Sequence, residues 1–318
     1  MDLSFLKDTC AALQSSARLS ECTTFRLGGP CQCLITCPSP RQLETVIKQL
    51  VEKKIDFILI GGGSNLLVAD SGVDCVVVRY IGSPIISREG DALIVSGSTL
   101  LDSLAAFAVE NSLEGLNCAT GIPGTVGGAI VGNAGAFGKQ VGDILESVLL
   151  INKKGEKWEA KPETLGFSYR HSNLKQTGDI VVQARFRLRP GNRSALEKER
   201  QEILTTRQQK HPDLKTHPSA GSFFRNIEPT SAAGRRQAAG WFLEQAGAKE
   251  MRIGGAVVFP KHANIIVKSD GCLAQHVFDL SHQMAEAVKK QFNLSLIREV
   301  RLIGKFKGMP AGIAGYIW

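Results

Sequence analysis

The sequence predicts two units in tandem, an α/β unit over residues 1–190 and a smaller α+β unit over residues 191–304. Three observations carry this reading. Helical and strand patterns alternate through the first half. Arg189-Pro190-Gly191-Asn192 forms a turn cluster where the pattern changes. Beyond it a charged helix, a polar loop and short strands follow within about one hundred residues, the size of a small domain. The 318-residue length supports about two domains with substantial cores. Hydrophobic residues at 43% and charged residues at 21% lie near the globular average and exclude wholesale disorder.

Pro40 can open a helix with Leu43, Val46, Ile47, Leu50 and Val51 on one face. An apolar strand, Phe57 to Ile60, runs into Gly61-Gly62-Gly63-Ser64-Asn65. Cys75 to Arg79 and Ala92 to Ser96 read as strands, and Ser98 or Thr99 as the cap of a helix with Leu101, Leu104, Ala105 and Ala108 inward. Residues 121–142 are dense in glycine. Strands resume at Ile144 to Asn152 and Ile180 to Leu188, the latter alternating with period two. After the turn cluster come a helix from Ser194 to Gln209, a loop from His211 to Ser222 and a helix over Arg235 to Ala246. Strands near Ala256 and Ile265, a helix from Leu273 to Phe292 and a strand from Leu296 to Ile303 complete the pattern. The tail, residues 305–318, is apolar and glycine-rich, and nothing in it suggests a role.

Composition excludes several classes. No apolar run approaches the ~18 residues of a membrane span. Asp2 and Asp8 stand where a secretory signal needs basic and then apolar residues, so the expected location is the cytoplasm. Cysteines at 10, 22, 31, 33, 37, 75, 118 and 272 read as reduced thiols. Cys31, Cys33 and Cys37 lack the CxxC spacing and the neighbouring histidine of a zinc site. Counting Lys, Arg, Asp and Glu, residues 1–150 carry a net charge of −5 and residues 151–318 one of +13. The basic residues are dispersed and aromatics are scarce, which favours small anionic ligands over nucleic acid.

Two glycine-rich loops in the first half read as each following a strand. Glycine lets successive amides approach and face a phosphate, so the pair points to a nucleotide or dinucleotide. The familiar versions are absent. Leu66 occupies the third glycine position of a GxGxxG, and Asn133 and Gln140 break a Walker A loop ending at Gly138-Lys139. There is no HExxH, HxE…CxxC or GxSxG either. Three further residues are candidates. Arg170 can clamp a carboxylate, against the bland reading of a surface arginine. Ser222 can present a hydroxyl in a pocket or hold a turn. Glu299, sharing a strand face with Ile297, Arg301 and Ile303, can be a site carboxyl or half of a surface ion pair.

Read as whole strings, the motifs are more specific. Thr23-Thr24-Phe25-Arg26-Leu27-Gly28-Gly29, Gly61-Gly62-Gly63-Ser64-Asn65, Gly121-Ile122-Pro123-Gly124-Thr125-Val126-Gly127-Gly128-Ala129 and Asn133-Ala134-Gly135-Ala136 resemble the UDP-N-acetylenolpyruvoylglucosamine reductases. So do Ser168-Tyr169-Arg170, Gly221-Ser222-Phe223-Phe224-Arg225-Asn226, Lys261-His262-Ala263-Asn264 and Glu299-Val300-Arg301-Leu302-Ile303-Gly304. Ala239-Gly240-Trp241 and Glu244-Gln245-Ala246-Gly247 lie between them in the same order, and the Ser-Ala-Gly-Ser and Lys-His-Ala-Asn strings are similar to the shorter subclass of the family.

The resemblance implies an α+β chain with an FAD-binding fold of the vanillyl-alcohol-oxidase (PCMH) type. Two α/β lobes, dividing near residue 80, would hold FAD and a C-terminal domain would hold substrate. It implies FAD contacts from Gly61, Gly62, Gly63, Ser64, Asn65, Gly121, Pro123, Gly124, Thr125, Gly127, Gly128, Asn133, Ala134, Gly135 and Arg301. Substrate contacts fall to Tyr169, Arg225 and Asn226, and catalysis to Arg170, Ser222 and Glu299. Ser64 stands in the region where some relatives of the wider fold attach FAD through histidine, which implies noncovalent FAD. The implied activity belongs to peptidoglycan precursor synthesis: NADPH reduces FAD, hydride from flavin N5 reaches C3 of an enolpyruvyl group, and C2 is protonated to give UDP-N-acetylmuramate. Arg170 and a protonated Glu299 would stabilise charge on the conjugated carboxylate, and Ser222 would supply the proton. No nucleic acid and no membrane insertion are implied, and a monomer or weak oligomer is expected. Trp241, Phe242 and Ile227 depart from the family pattern. A flavin oxidase of another small polar substrate and a non-catalytic nucleotide- or RNA-binding module are the alternatives.

Overall fold

The helix expected behind Pro40 forms as Pro40–Glu52, capped by the Ser39 hydroxyl accepting the Gln42 amide and burying Leu43, Val46, Ile47 and Leu50 completely. It covers a four-stranded sheet in the order Ala12–Ser15, Cys31–Cys37, Val73–Tyr80, Phe57–Ile60. The last two pairings are parallel. A computed structural model of the chain describes residues 3–6, 9, 12–228 and 236–309. Arg235, at the start of one expected helix, and residues 310–318 of the tail lie outside these.

A second, antiparallel sheet has the order Lys157–Ala160, Leu145–Ile151, Ile180–Arg187, Ala92–Ser96, Ile86–Glu89. The strand Ile180–Arg187 shows why period two was only partly right: Val181 is buried as well, because both of its faces are covered. The helix Leu101–Glu110 forms with the expected inward face, but neither Ser98 nor Thr99 caps it. Ser98 donates to the Pro38 carbonyl and Thr99 accepts the Ile85 amide, so both hydroxyls tie strands together instead. The second glycine-rich loop also departs from expectation. It follows a 3-10 turn, Asn117–Ala119, rather than a strand, and it contains a short helix, Val126–Gly132, capped by Thr125.

The turn cluster at 189–192 leads into the helix Arg193–Lys210, whose N-cap is Asn192. This helix lies on the first half of the chain. Arg200 grips Asp102 with two bonds of 2.7 and 3.0 Å, and Arg207 donates to the Thr120 carbonyl at 2.8 Å. Asp102 also accepts the Gly121 amide at 2.7 Å, so the entry to the second glycine loop is tied to the helix. Burial pushes the Asp102 carboxyl up, but the Arg200 and Gly121 donors outweigh it and hold the group below its usual value.

The C-terminal sheet has the order Ser219–Ser222, Ile265–Lys268, Ala256–Val258, Arg252–Ile253, backed by the helices Ala239–Gln245 and Ala274–Phe292. The last expected strand is shorter than the sequence suggests. Only Arg301–Ile303 forms a ladder, and its partner is Leu66–Val68, directly after the first glycine loop. The chain thereby returns from its last third to its first. Ile227, where the family pattern has proline, exchanges both backbone bonds with Gln237, a donation that proline could not make. Cys31, Cys33 and Cys37 are buried, and among the described residues no group of three or more His, Cys, Asp or Glu could hold a metal. No helix among them is long and apolar enough to cross a membrane.

Candidate active site

The two glycine loops close on one another. A Cβ on Gly61 would strike the Thr125 hydroxyl, and one on Gly62 would lie 3.1 Å from the Gly124 Cα. Ser64 donates to the Pro123 carbonyl at 2.9 Å and fixes the approach. Gly63 has φ +65° and faces the Cys22 carbonyl without room for a side chain. Gly63→Ala is therefore expected to lose on the order of 1–3 kcal/mol from the backbone alone, and more from the collision. Thermal unfolding and flavin content of the purified variant check this.

These loops floor a cavity of about 920 Å³. Gly61, Gly62, Gly63, Ser64, Asn65, Gly121, Pro123, Gly124, Thr125, Gly127, Gly128, Ala134 and Gly135 line it, together with Arg170, Ser222, Glu299 and Arg301. Four candidates do not line it. Asn133 is fully buried and braces two segments, donating to the Ser168 carbonyl and accepting the Gly142 amide. Tyr169 accepts the Asn226 amide at its hydroxyl and lies under the Arg236 guanidinium, 4.1 Å from the ring centre. Asn226 accepts the Ala239 amide at the head of the following helix. Arg225 carries a charge that acts on the ionisation of both Glu299 and Arg301.

Three distant stretches of sequence meet at the rim. Ser222 ends a strand whose continuation is pinned by Asn264: the Phe223 amide donates to the Asn264 carbonyl, and the Asn264 side chain exchanges two bonds with the Phe224 backbone. The Glu299 amide donates to the Phe223 carbonyl at 2.8 Å, which places the glutamate beside the serine strand. Asn65 clamps the same segment from the other side. Its carbonyl accepts the Arg301 amide, and its side chain donates to the Glu299 carbonyl. Arg170 arrives on a tight turn with φ +55° and brings Nε to 2.9 Å from Glu299 Oε1. Their side chains are 24% and 20% exposed. The Arg170 N–H is not aimed at the oxygen, so the contact is an ion pair and the donor has no acceptor among the described residues.

Electrostatics set the chemistry. Burial raises the Glu299 carboxyl above its ordinary range, although Arg170, Arg225 and Lys175 pull it down. Burial likewise lowers Arg301 to about 10, with Arg225 adding to it. Buried N–H groups of Arg170, Arg225 and Arg301 lack acceptors among the described residues. A half-buried pocket with surplus guanidinium donors and a carboxyl whose proton affinity is raised by burial is built for an anionic group that gains charge.

Several lining residues were not singled out in the sequence. Lys175 borders the cavity five residues after Arg170. Arg207, Lys210 and His211 line it from the end of the helix Arg193–Lys210, where basic residues read simply as complements of a helix dipole. Burial, with His262 and two basic neighbours, lowers His211 to about 4, so it is neutral at pH 7. Trp241 and Phe242 do not line the cavity; they pack edge to face on one another and against Phe292.

A glycine-floored cradle too close for side chains, beside an anion-seeking carboxyl and guanidinium cluster, defines a dinucleotide-dependent enzyme acting on a small anion. Residues 31–161 match the FAD binding domain, and residues 211–303 match the C-terminal domain of UDP-N-acetylenolpyruvoylglucosamine reductase. The chain is 38% identical to the UDP-N-acetylenolpyruvoylglucosamine reductase of Carboxydothermus hydrogenoformans over 90% of its length and 92% of that protein's. It is 35% identical to that of Nostoc punctiforme, over 96% of this chain and 90% of the other. The crystal structure of the Thermus caldophilus reductase superposes with a TM-score of 0.74 at 30% identity, covering 91% of this chain and 98% of that one. The chain belongs to the UDP-N-acetylenolpyruvoylglucosamine reductase family, FAD-containing oxidoreductases with an α+β fold.

Proposed function

We propose that this chain uses NADPH and noncovalently held FAD to reduce the enolpyruvyl group of UDP-N-acetylglucosamine enolpyruvate, giving UDP-N-acetylmuramate for peptidoglycan synthesis. The observation that carries the reading is the meeting of Arg170, Glu299 and the Ser222 strand above the paired glycine loops. The loops fit the cofactor, because Gly61, Gly62, Gly63, Gly124, Gly127 and Gly128 line the cavity with no side chain between their main chain and a bound dinucleotide. When bound between these loops, FAD would supply the hydride equivalent drawn from NADPH.

The residues do the rest. As an enol ether takes hydride at C3, charge builds on the conjugated carboxylate. Arg170, with an unused N–H, offsets it. Glu299, whose carboxyl burial raises above its ordinary range, donates in its protonated form to a carboxylate oxygen where an ionised side chain would repel it. Ser222 gives C2 its proton, a task suited to a weak acid because the carbon receiving it is strongly basic. Asn226, Tyr169 and Arg225, which do not line the cavity, are assigned to the part of the sugar nucleotide that extends past it, and Thr125 and Asn133 shape the cofactor loop. A cytoplasmic protein, monomeric or weakly associated and serving cell shape and division, agrees with this assignment.

Purified protein is expected to oxidise NADPH, followed at 340 nm, only when the enolpyruvyl sugar nucleotide is added. Acid denaturation should release all flavin into the supernatant. Oxygen-dependent turnover without NADPH would favour an oxidase, and flavin remaining on the polypeptide would exclude noncovalent binding.

A further inference from the structure

Arg170 is the one candidate catalytic residue whose backbone adopts a left-handed conformation, at φ +55°. An arginine gains nothing locally from that conformation, so its surroundings must impose it. The turn is held at several points. Ser168 and His171 exchange both backbone bonds, at 3.2 and 3.0 Å. Asn133 donates to the Ser168 carbonyl at 2.8 Å, and Ser172 donates to the Val131 carbonyl at 2.8 Å. These contacts fasten the two ends of the turn to the second glycine loop. They leave the Arg170 peptide itself, and among the described residues its carbonyl is held only by Lys175, whose Nζ donates at 2.6 Å.

Lys175 is an unusual choice for that task. It borders the cavity, where the charges of Arg301, Arg225, Glu299 and Arg170 act on it. Burial first, and then Arg301 and Arg225, bring its ammonium down to about 8. A lysine on the surface would avoid such a place. Here the short 2.6 Å bond to the peptide oxygen, made by the first turn of the helix Leu174–Thr177, keeps it there.

We propose that Lys175 is a positioning residue: by holding the Arg170 carbonyl it fixes the left-handed turn that delivers the Arg170 guanidinium to Glu299 and to the substrate carboxylate. This rests on the reading of the site as a reductase. It adds to that reading a residue on the cavity wall that acts through Arg170.

The test uses holoenzyme variants Lys175→Met and Lys175→Arg, the second keeping both the reach and the donor. The first readout needs no substrate: the Arg170 Nε–H resonance in protein labelled with 15N at arginine, which reports the contact with Glu299. Lys175→Met should move this resonance, and Lys175→Arg should return it toward its wild-type place. The second readout is kinetic. Displacing a catalytic group by about 1 Å lowers rates on the order of 10²-fold, so Lys175→Met should lose that much kcat while the KM for the sugar nucleotide changes little. Flavin reduction by NADPH should be unaffected, and Lys175→Arg should recover most of the loss. An unmoved resonance in Lys175→Met, a raised KM with kcat kept, or no recovery in Lys175→Arg would overturn the proposal. Should wild-type protein fail to reduce the sugar nucleotide, the reductase reading falls, while the resonance still decides the role of Lys175.

Discussion

Ser222→Ala is expected to leave NADPH-driven bleaching of the flavin within about two-fold of wild type and to slow reduction of the sugar nucleotide on the order of 10³-fold. The asymmetry follows from where the hydroxyl is used. Hydride arriving from NADPH needs no proton at the substrate carbon, whereas completing the enolpyruvyl reduction does. Removing one oxygen atom at the end of the Ser219–Ser222 strand disturbs no backbone bond, because Phe223 and Phe224 are held through Asn264. Anaerobic stopped-flow traces of the two half-reactions separate the effects. Equal losses in both would mean that the variant damages the flavin site and that Ser222 is not the proton donor.

The second large effect concerns Glu299. Glu299→Ala should lower the sugar-nucleotide step on the order of 10²- to 10³-fold, the usual loss for one buried donor to a developing negative charge. The pH dependence carries more information. Burial holds the folded-state pKa above the ordinary carboxylate range. Below that raised value the group is protonated and active; as pH rises through it, the proton leaves and the rate falls. Wild-type kcat should thus show an alkaline limb. Glu299→Gln, neutral at every pH, should retain part of the activity and lose that limb. An unchanged limb in Glu299→Gln would assign the titration to another group.

Much of this was legible in the residues. The amphipathic spacing from Leu43 to Val51 gave the helix Pro40–Glu52, and the strand Phe57–Ile60 ends where glycine begins. Local pattern was enough there because one buried face decides each element. Pattern failed where polar side chains had tertiary work. Ser98 and Thr99 look like caps but bind the Pro38 and Ile85 backbones, which lie far away in sequence. The helix Val126–Gly132 is hidden by its three glycines, Gly127, Gly128 and Gly132, which lower its intrinsic propensity, and packing against the sheet restores it.

The site was legible only as whole motifs. Alone, Arg170, Ser222 and Glu299 had ordinary surface or turn readings, since nothing local brings them together. The ladder between Arg301–Ile303 and Leu66–Val68, and the clamp made by Asn65, create the juxtaposition. Lys175 was invisible for the same reason: its partner is a carbonyl, a group that every residue carries.

The most direct measurement is the anaerobic absorbance spectrum of the purified holoprotein, taken before NADPH, after one equivalent of NADPH, and after UDP-N-acetylglucosamine enolpyruvate is added in turn. The expected sequence is an oxidised flavin spectrum, its bleaching, and its full return with one equivalent of UDP-N-acetylmuramate formed. A flavin that stays bleached in the presence of the sugar nucleotide, or a protein that holds no flavin when supplied with FAD, would contradict the account.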